Sequence, residues 1–163
     1  MTLKKIAFMM FAATAVCLGF TSCGDDDDNS TASNAETLAG TYSGDLTITV
    51  MGSTSESEGD YVVTKVDDSH VSLTTPAAGS GAMALPALTV ENIPVESVTV
   101  EGVTAYKASI SEYSGTITVD GAEKAYTFKN LAIVKTGDNV AIAYSLQYGK
   151  MPMAMACTFT NKK

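Results

Sequence analysis

The chain has 163 residues with ten Lys, eighteen Asp or Glu and no Arg or Trp, which gives a formal net charge of −8. Nucleic acids and anionic lipid headgroups bind basic surfaces. This acidic composition therefore argues against nucleic acid as a partner and against direct binding of anionic headgroups. There are three Cys, two of them within the first 23 residues, and this excludes a disulfide framework.

Residues 1–22 have the pattern of a secretory signal peptide. Lys4 and Lys5 give a basic start, and residues 6–20 form an uncharged, mostly apolar run. This run is shorter than the about 20 residues of a membrane-spanning helix, but it has the length of the apolar region of a signal peptide. We therefore predict that residues 1–22 are removed, which leaves eight Lys against eighteen acidic residues and a net charge of −10.

Cys23 ends the segment Phe20-Thr21-Ser22-Cys23, which resembles the lipobox of bacterial lipoproteins. In that class the Cys thiol takes a diacylglycerol group and the chain is cut just before it. A thiolate has the nucleophilicity that thioether formation needs, and two or more acyl chains give stable membrane anchoring. The resemblance implies that Cys23 is the lipid attachment site and that the membrane is a partner through this lipid. A signal peptide with an incidental Cys is the alternative.

Four acidic residues, Asp25, Asp26, Asp27 and Asp28, follow almost at once. Such a run by itself indicates a solvated, self-repelling linker. It also resembles the surface-export signal of these lipoproteins, which implies an outer-membrane location with exposure on the cell surface; the periplasmic leaflet is the alternative. We predict that residues 23–36, rich in Asp, Ser, Thr, Asn and Ala, form a flexible tether.

Residues 37–163 alternate between apolar and polar positions almost throughout, as half-buried strands do. The first run covers residues 41–50. The next stretch, residues 52–59, is rich in Ser and Glu and is predicted to be a loop. Residues 61–66 and 70–75 are predicted to form a hairpin, followed by a loop at 76–81. A short or edge strand is predicted at 88–90, because it lies between Pro86 and Pro94. Further strands are predicted at 97–100, with a turn at 101–102, and around 106–110 and 115–119.

The last third of the chain carries two local signals. Asp120-Gly121 is a strong hairpin signal. Beyond it, the inward positions change from even to odd numbers around Lys129-Asn130, which predicts a β-bulge there. A turn is predicted at 136–139.

We predict a second two-residue turn at Tyr148-Gly149. This turn would pair Tyr144 with Met153 and Ile142 with Met155, both inside. It would also place four alanines in an outward patch: Ala141, Ala143, Ala154 and Ala156.

These elements predict an all-β domain of eight to ten strands with no convincing helix. The Cys pair and core Trp of immunoglobulin domains are absent. Because the strands follow one another as adjacent hairpins, we expect an antiparallel up-and-down barrel, which leaves no open sheet edge. One domain of this length buries roughly two thirds of its unfolded surface.

Three segments carry a family resemblance: residues 38–44 (LAGTYSG), residues 63–66 (VTKV) and the ending from Tyr144 to Phe159. They resemble the calycin-like β-barrel lipoproteins of gut anaerobes. The resemblance implies a lipocalin-type barrel over residues 37–163. Calycins often bind small apolar ligands inside the barrel, but this is an analogy from the fold, and the lipocalin Gly-x-Trp start is absent here.

No constellation of acid and base residues predicts catalysis, and no metal site or cofactor is expected. His70, the only His, follows a turn and is expected to face solvent. Glu56, Glu58 and Asp60 lack the spacing of a calcium loop and are expected to be solvated. Cys157 lies on an apolar strand face, which predicts a buried, inert thiol.

Two functions remain open. The first is a non-catalytic binding module for a small, partly apolar ligand; the second is a structural or protein-interaction lipoprotein whose barrel is filled by side chains. Gly44 and Gly115 at inward positions favour room inside, whereas Met and Tyr side chains favour filling. A cavity above about 300 Å³ would separate the two. The predicted ligand-lining residues are Tyr42, Leu46, Ile48, Ile142, Tyr144, Met153, Met155 and Phe159.

Overall fold

A computed structural model describes residues 32–81 and 84–162 of the protein. The predicted signal peptide, Cys23 and the Asp25–Asp28 run lie outside these described residues. Among the described residues, no helix is long and apolar enough to cross a membrane. The elements are α1 (Asn34–Leu38), β1 (Gly40–Val50), β2 (Ser53–Lys65), β3 (His70–Thr74), β4 (Thr89–Val100), β5 (Val103–Val119), β6 (Ala122–Thr136), β7 (Asn139–Tyr148) and β8 (Met155–Asn161).

The eight strands form a closed antiparallel barrel in chain order, and β8 pairs with β1. This confirms the all-β, up-and-down architecture. Three of the connections are two-residue turns with both φ angles positive: Met51-Gly52 (50° and 81°), Glu101-Gly102 (52° and 80°) and Asp120-Gly121 (52° and 75°). Turns of this hand match the right-handed twist of the strands that they join.

The helix α1 was not predicted from the sequence, and it begins within the segment that we predicted to be tether. The Ser33 hydroxyl caps it by accepting a hydrogen bond from the Glu36 amide at 3.2 Å. Ala35 and Leu38 are fully buried. A helix of five residues is too short to show a period of 3.6 in the sequence.

The helix marks one end of the barrel. The Tyr42 hydroxyl donates a hydrogen bond to the Leu38 carbonyl at 2.6 Å, and the Lys135 ammonium donates one to the Thr37 carbonyl at 2.7 Å. The turns after β2, β4 and β6 lie at this end, which we call the helix end. The connections after β1, β3, β5 and β7 lie at the opposite end, which we call the loop end.

The loop predicted at residues 52–59 is wrong, because residues 53–60 form the first half of β2. They pair with β1 from Val50↔Ser53 to Ser43↔Asp60. Nearly all of their side chains are exposed, so no apolar alternation appears in the sequence. Backbone pairing across the Met51-Gly52 turn makes this segment a strand.

The short strand predicted at residues 88–90 is also wrong, because β4 runs without interruption through Pro94 to Val100. A bulge interrupts the β3–β4 pairing next to Asn92, whose φ is 55°. Pro94 pairs with His70 beside this bulge, where a residue without an amide hydrogen is tolerated. The predicted second strand at 97–100 is therefore the end of β4.

The bulge predicted at Lys129-Asn130 is confirmed. The β6–β7 register shifts between Lys129 and Ala132, and Asn130 has a φ of 51°. Asn tolerates this left-handed conformation better than most residues. The extra residue lets Phe128 and Leu131 both face the interior.

The predicted register of the last hairpin is wrong by four residues. Leu146 pairs with Met155, Tyr144 with Cys157 and Ile142 with Phe159. The chain continues β7 through Tyr148 and uses residues 149–154 as a longer connection. Ala154 lies in this connection, and Ala141 and Ala143 face Thr160 and Thr158, so the predicted four-alanine patch does not form. An even shift leaves the side chains that stay within β7 and β8 on their predicted faces.

Candidate functional site

The barrel interior is filled by a chain of aromatic rings. The ring centroids of Tyr61 and Phe159 are 4.5 Å apart, those of Phe128 and Tyr144 are 4.9 Å apart, and Tyr126 meets Phe128 edge-on at 5.9 Å. Aromatic pairs at such separations are in favourable contact. Tyr61, Phe128 and Phe159 are fully buried. These rings occupy the space that a ligand would take in a hollow barrel.

A pair of buried hydroxyls lies at the centre of this cluster. The Tyr61 and Tyr144 hydroxyl oxygens are 2.7 Å apart and share a hydrogen bond. Burial raises the pKa values of both phenols, and it raises the pKa of the neighbouring Cys157 thiol to about 11. All three groups are therefore protonated at neutral pH, and a neutral thiol is a poor nucleophile.

The inward glycines do not leave room inside the barrel. A Cβ atom on Gly115 would lie 2.6 Å from the Tyr126 ring, and one on Gly44 would lie 2.2 Å from the Thr160 carbonyl oxygen and 2.9 Å from the Phe159 ring. The space next to each glycine is therefore already occupied. Gly44 and Gly115 permit close packing of their neighbours, contrary to the expectation that they favour a cavity.

Seven of the eight predicted ligand-lining residues do point into the barrel. Five of them are buried in the core, and Tyr42 and Ile48 are half-buried against it. Met153 does not point inward: its side chain is 42% exposed in the connection after β7. The four-residue register shift explains this difference, because Cys157 instead of Met153 lies opposite Tyr144.

A shallow cavity of about 200 Å³ lies at the loop end. The β1–β2 hairpin and the β3–β4 connection form its walls. Ile48, Val50, Leu85 and Met155 give it an apolar surface, and Ser53 and Ser55 lie opposite Val50 and Ile48 on the same face of the hairpin. Thr54 and Gly79 complete the lining, but the Thr54 hydroxyl lies 3.2 Å from that of Thr49 on the other face. We call this cavity the loop-end cleft. Its volume is below the roughly 300 Å³ of common small-molecule pockets.

Sequence reasoning found only two residues of the cleft, Ile48 and Met155. It missed Ser53–Ser55 because this segment was interpreted as a loop. The one local signal near them is Gly52, because a Gly suits the positive φ of a two-residue turn. Leu85 carries no such signal, because its position depends on the backbone bridge between Ala78 and Leu85.

The other polar candidates occupy local surface positions. His70 Nδ1 lies 2.9 Å from the Asp67 carboxylate. The Ser69 amide and this imidazole together lower the pKa of Asp67 to about 2. Both groups are partly exposed and lie in the β2–β3 turn, where solvent weakens such a pair.

Glu56, Glu58 and Asp60 lie on the exposed half of β2, where Glu58 is bound by Lys162. Among residues 32–81 and 84–162 no group of three His, Cys, Asp or Glu side chains is arranged to hold a metal ion. Cys157 is buried, as predicted.

Among the solved structures, the chain is similar to the crystal structure of a "putative outer membrane protein" from Bacteroides fragilis, with 21% sequence identity and a TM-score of 0.60. The similarity covers 82% of this chain and 54% of the other, so the chain spans about half the length of that protein. At this level of identity the likeness concerns the fold alone. No curated protein matches the chain.

The family comparison covers the whole barrel. The model of the calycin-like beta-barrel domain matches residues 38–162, from the last residue of α1 to the residue after β8. The protein therefore belongs to the calycin-like beta-barrel domain family.

Proposed function

We propose that this protein is a lipid-anchored lipoprotein of the outer membrane that binds a small, partly apolar ligand without catalysis. The loop-end cleft carries this proposal, because it combines four apolar side chains with the two serines Ser53 and Ser55. Such a mixture suits a ligand with an apolar body and a polar end. The lipobox resemblance of residues 20–23 and the acidic run of residues 25–28 support the anchor and the exposure on the cell surface.

Because side chains fill the barrel interior, we place the proposed ligand at the rim of the barrel and not in its lumen. At about 200 Å³ the cleft takes a short acyl chain, a small ring or one apolar group of a larger molecule. The hydroxyls of Ser53 and Ser55 then face the polar end of the ligand. Of the residues predicted from the sequence, Ile48 and Met155 keep a ligand-contacting role in this proposal.

Saturation-transfer NMR with hexanoate and indole as probes tests the cleft. We expect saturable binding to the parent protein and at least about tenfold weaker binding to Val50→Asp, because a carboxylate placed in the apolar wall must be desolvated when a probe enters. Thr49→Asp is the matched control, since it introduces the same charge one residue away on the other face of β1. Equal binding to all three proteins, or no saturable binding to any, would contradict the proposal.

A second candidate is a structural or protein-interaction lipoprotein. The specific observation in its favour is the packing of Tyr61, Phe128 and Phe159 across the lumen. In that case the outer surface is the working part, and the same NMR experiment gives no saturable probe binding to the parent.

A further inference from the structure

The β4–β5 hairpin projects beyond its neighbours at the helix end of the barrel. Pairing of β3 with β4 reaches only to His70↔Pro94, and pairing of β6 with β5 begins at Ala105↔Thr136. Residues 99–104 therefore extend past the paired parts of both adjacent strands.

The tip of this hairpin is apolar on its outward face. Val98, Val100 and Val103 are 48%, 49% and 56% exposed. Val100 and Val103 form a cross-strand pair, and Val98 lies on the same face, two residues along β4. We call these three side chains the valine tip. They form a small apolar patch at the tip of a projecting hairpin, and such a patch gains free energy when another surface covers it.

On the outward face, the third cross-strand pair from the turn is charged, after Val100↔Val103 and Val98↔Ala105. Next to Val98, the Glu96 carboxylate and the Lys107 ammonium face each other at 3.2 Å on the same outward face. With a rise of about 3.4 Å per residue, this ion pair lies about 13 Å from Val100. Glu101 in the turn is the one charged residue between Ser97 and Tyr106. The hairpin thus has an apolar tip above a charged band.

The helix end is also the end from which the chain runs back towards Cys23. Residues 24–33 are the ten residues between Cys23 and α1. Ten residues span at most about 35 Å. A lipid on Cys23 would therefore keep the helix end, with its projecting hairpin, within about 35 Å of the leaflet.

We propose that the valine tip inserts into the interface of the lipid leaflet that holds the anchor, so that the barrel contacts the membrane at two points. This inference rests on the proposed lipid anchor at Cys23. The valines reach the boundary of headgroups and acyl chains, a depth of about 5–10 Å that interfacial segments commonly occupy. Glu101 meets choline or ethanolamine ammonium groups, and Glu96 and Lys107 stay in the headgroup layer.

Tryptophan fluorescence of the mature lipoprotein in phosphatidylcholine vesicles tests this contact. The chain has no Trp, so Val100→Trp introduces one reporter at the tip. Val119→Trp is the control at the opposite, loop end of the barrel, where half-buried Val119 pairs with Ala122 beside the Asp120-Gly121 turn. Phosphatidylcholine brominated on its acyl chains is the quencher, and mass spectrometry of the same sample reads the modification of Cys23.

We expect brominated lipid to quench Val100→Trp at least about twofold more than Val119→Trp, with a blue-shifted emission, since the indole ring favours the interface. In the Val100→Trp background, Val98→Thr with Val103→Thr keeps the shape and the strand preference of both residues, and it should reduce the quenching. An acylated protein with equal quenching of the two reporters, or with quenching unchanged by the two Thr exchanges, overturns the valine-tip inference alone. An unmodified Cys23 removes the anchor and overturns both proposals.

Discussion

Among the buried tyrosines, Tyr61 and Tyr144 have a hydrogen-bond partner for their hydroxyl, whereas Tyr148 has none among the described residues. The hydroxyls of Tyr61 and Tyr144 bond to each other at 2.7 Å. The buried hydroxyl of Tyr148 has no hydrogen-bond partner among the described residues. Burying a hydroxyl without a partner costs stability, whereas a paired hydroxyl contributes to it.

We therefore expect the removal of a paired hydroxyl to lower the free energy of unfolding, and the removal of the unpaired one not to lower it. Tyr144→Phe leaves the Tyr61 hydroxyl without its partner and should lower the free energy of unfolding by about 1–3 kcal/mol. Tyr148→Phe, the matched control, should be neutral or stabilising. Urea denaturation measures both, and a Tyr148→Phe variant that loses as much stability as Tyr144→Phe would contradict this interpretation.

The raised pKa of Cys157 predicts a loss of stability in alkali. Its pKa rises from 9.0 to about 11 on folding, chiefly because burial disfavours the thiolate. The folded chain holds the proton more tightly, so this contribution is complete below pH 9 and is lost as the pH rises towards 11. Burial of Tyr61 and Tyr144 acts in the same direction at higher pH.

Cys157→Ala isolates the contribution of the thiol. Between pH 8 and pH 10.5 the parent should lose on the order of 1–2 kcal/mol more than the variant, from about 1.4 kcal/mol per pKa unit. The comparison uses the change with pH within each protein, so the cavity left by the variant cancels. Parallel curves of unfolding free energy against pH would contradict the assignment of the shift to Cys157.

At the scale of elements, Gly44 permits the closure of the barrel. It lies where β1 passes β8, and it pairs with Asn161 on that strand. An added Cβ would lie 2.2 Å from the Thr160 carbonyl and 2.6 Å from the Asn161 Cα. Both contacts are with backbone, which cannot move without disturbing the last strand pairing of the barrel.

We expect Gly44→Ala to destabilise the protein by about 1–3 kcal/mol or more, as overpacking does. Gly115→Ala is the comparison, because there the Cβ would meet the far end of the Tyr126 ring, which can shift by giving up its 2.9 Å hydrogen bond to the Thr89 carbonyl. Thermal or urea denaturation should rank Gly44→Ala as the more damaging change. The reverse ranking would show that the strand crossing is more tolerant than its geometry indicates.

The whole molecule combines an acidic barrel with a proposed anchor at Cys23. Replacing Cys23 by Ala should abolish acylation and release the protein from the membrane fraction, because the thiol is the proposed attachment atom. Mass spectrometry of the mature N-terminus, together with membrane fractionation, measures both effects. Retention of the Cys23→Ala protein in the membrane, or an unmodified N-terminus in the parent, would contradict the anchor. Cys157→Ala serves as the control for loss of a thiol elsewhere.

Much of the barrel follows from the sequence alone. Alternation places Leu46, Ile142 and Phe159 inside, and the change from even to odd positions locates the bulge at Asn130. These features are local: side chains alternate with a period of two wherever one face of a strand is buried. The same rule fails for residues 53–60, where both faces are exposed and the apolar signal disappears.

Only the tertiary structure decides the register of β8, the filling of the lumen and the position of the cleft. Tyr144 faces Cys157, whereas the sequence predicted Met153. The alternation of two strands does not encode the length of the connection between them, so it could not give this register. Gly115 appears in the sequence as a place with room, yet the Tyr126 ring fills that space from a neighbouring strand. The sequence thus determines which side chains face inward, and packing between distant strands determines how much space remains among them, since volume depends on contacts that no local pattern records.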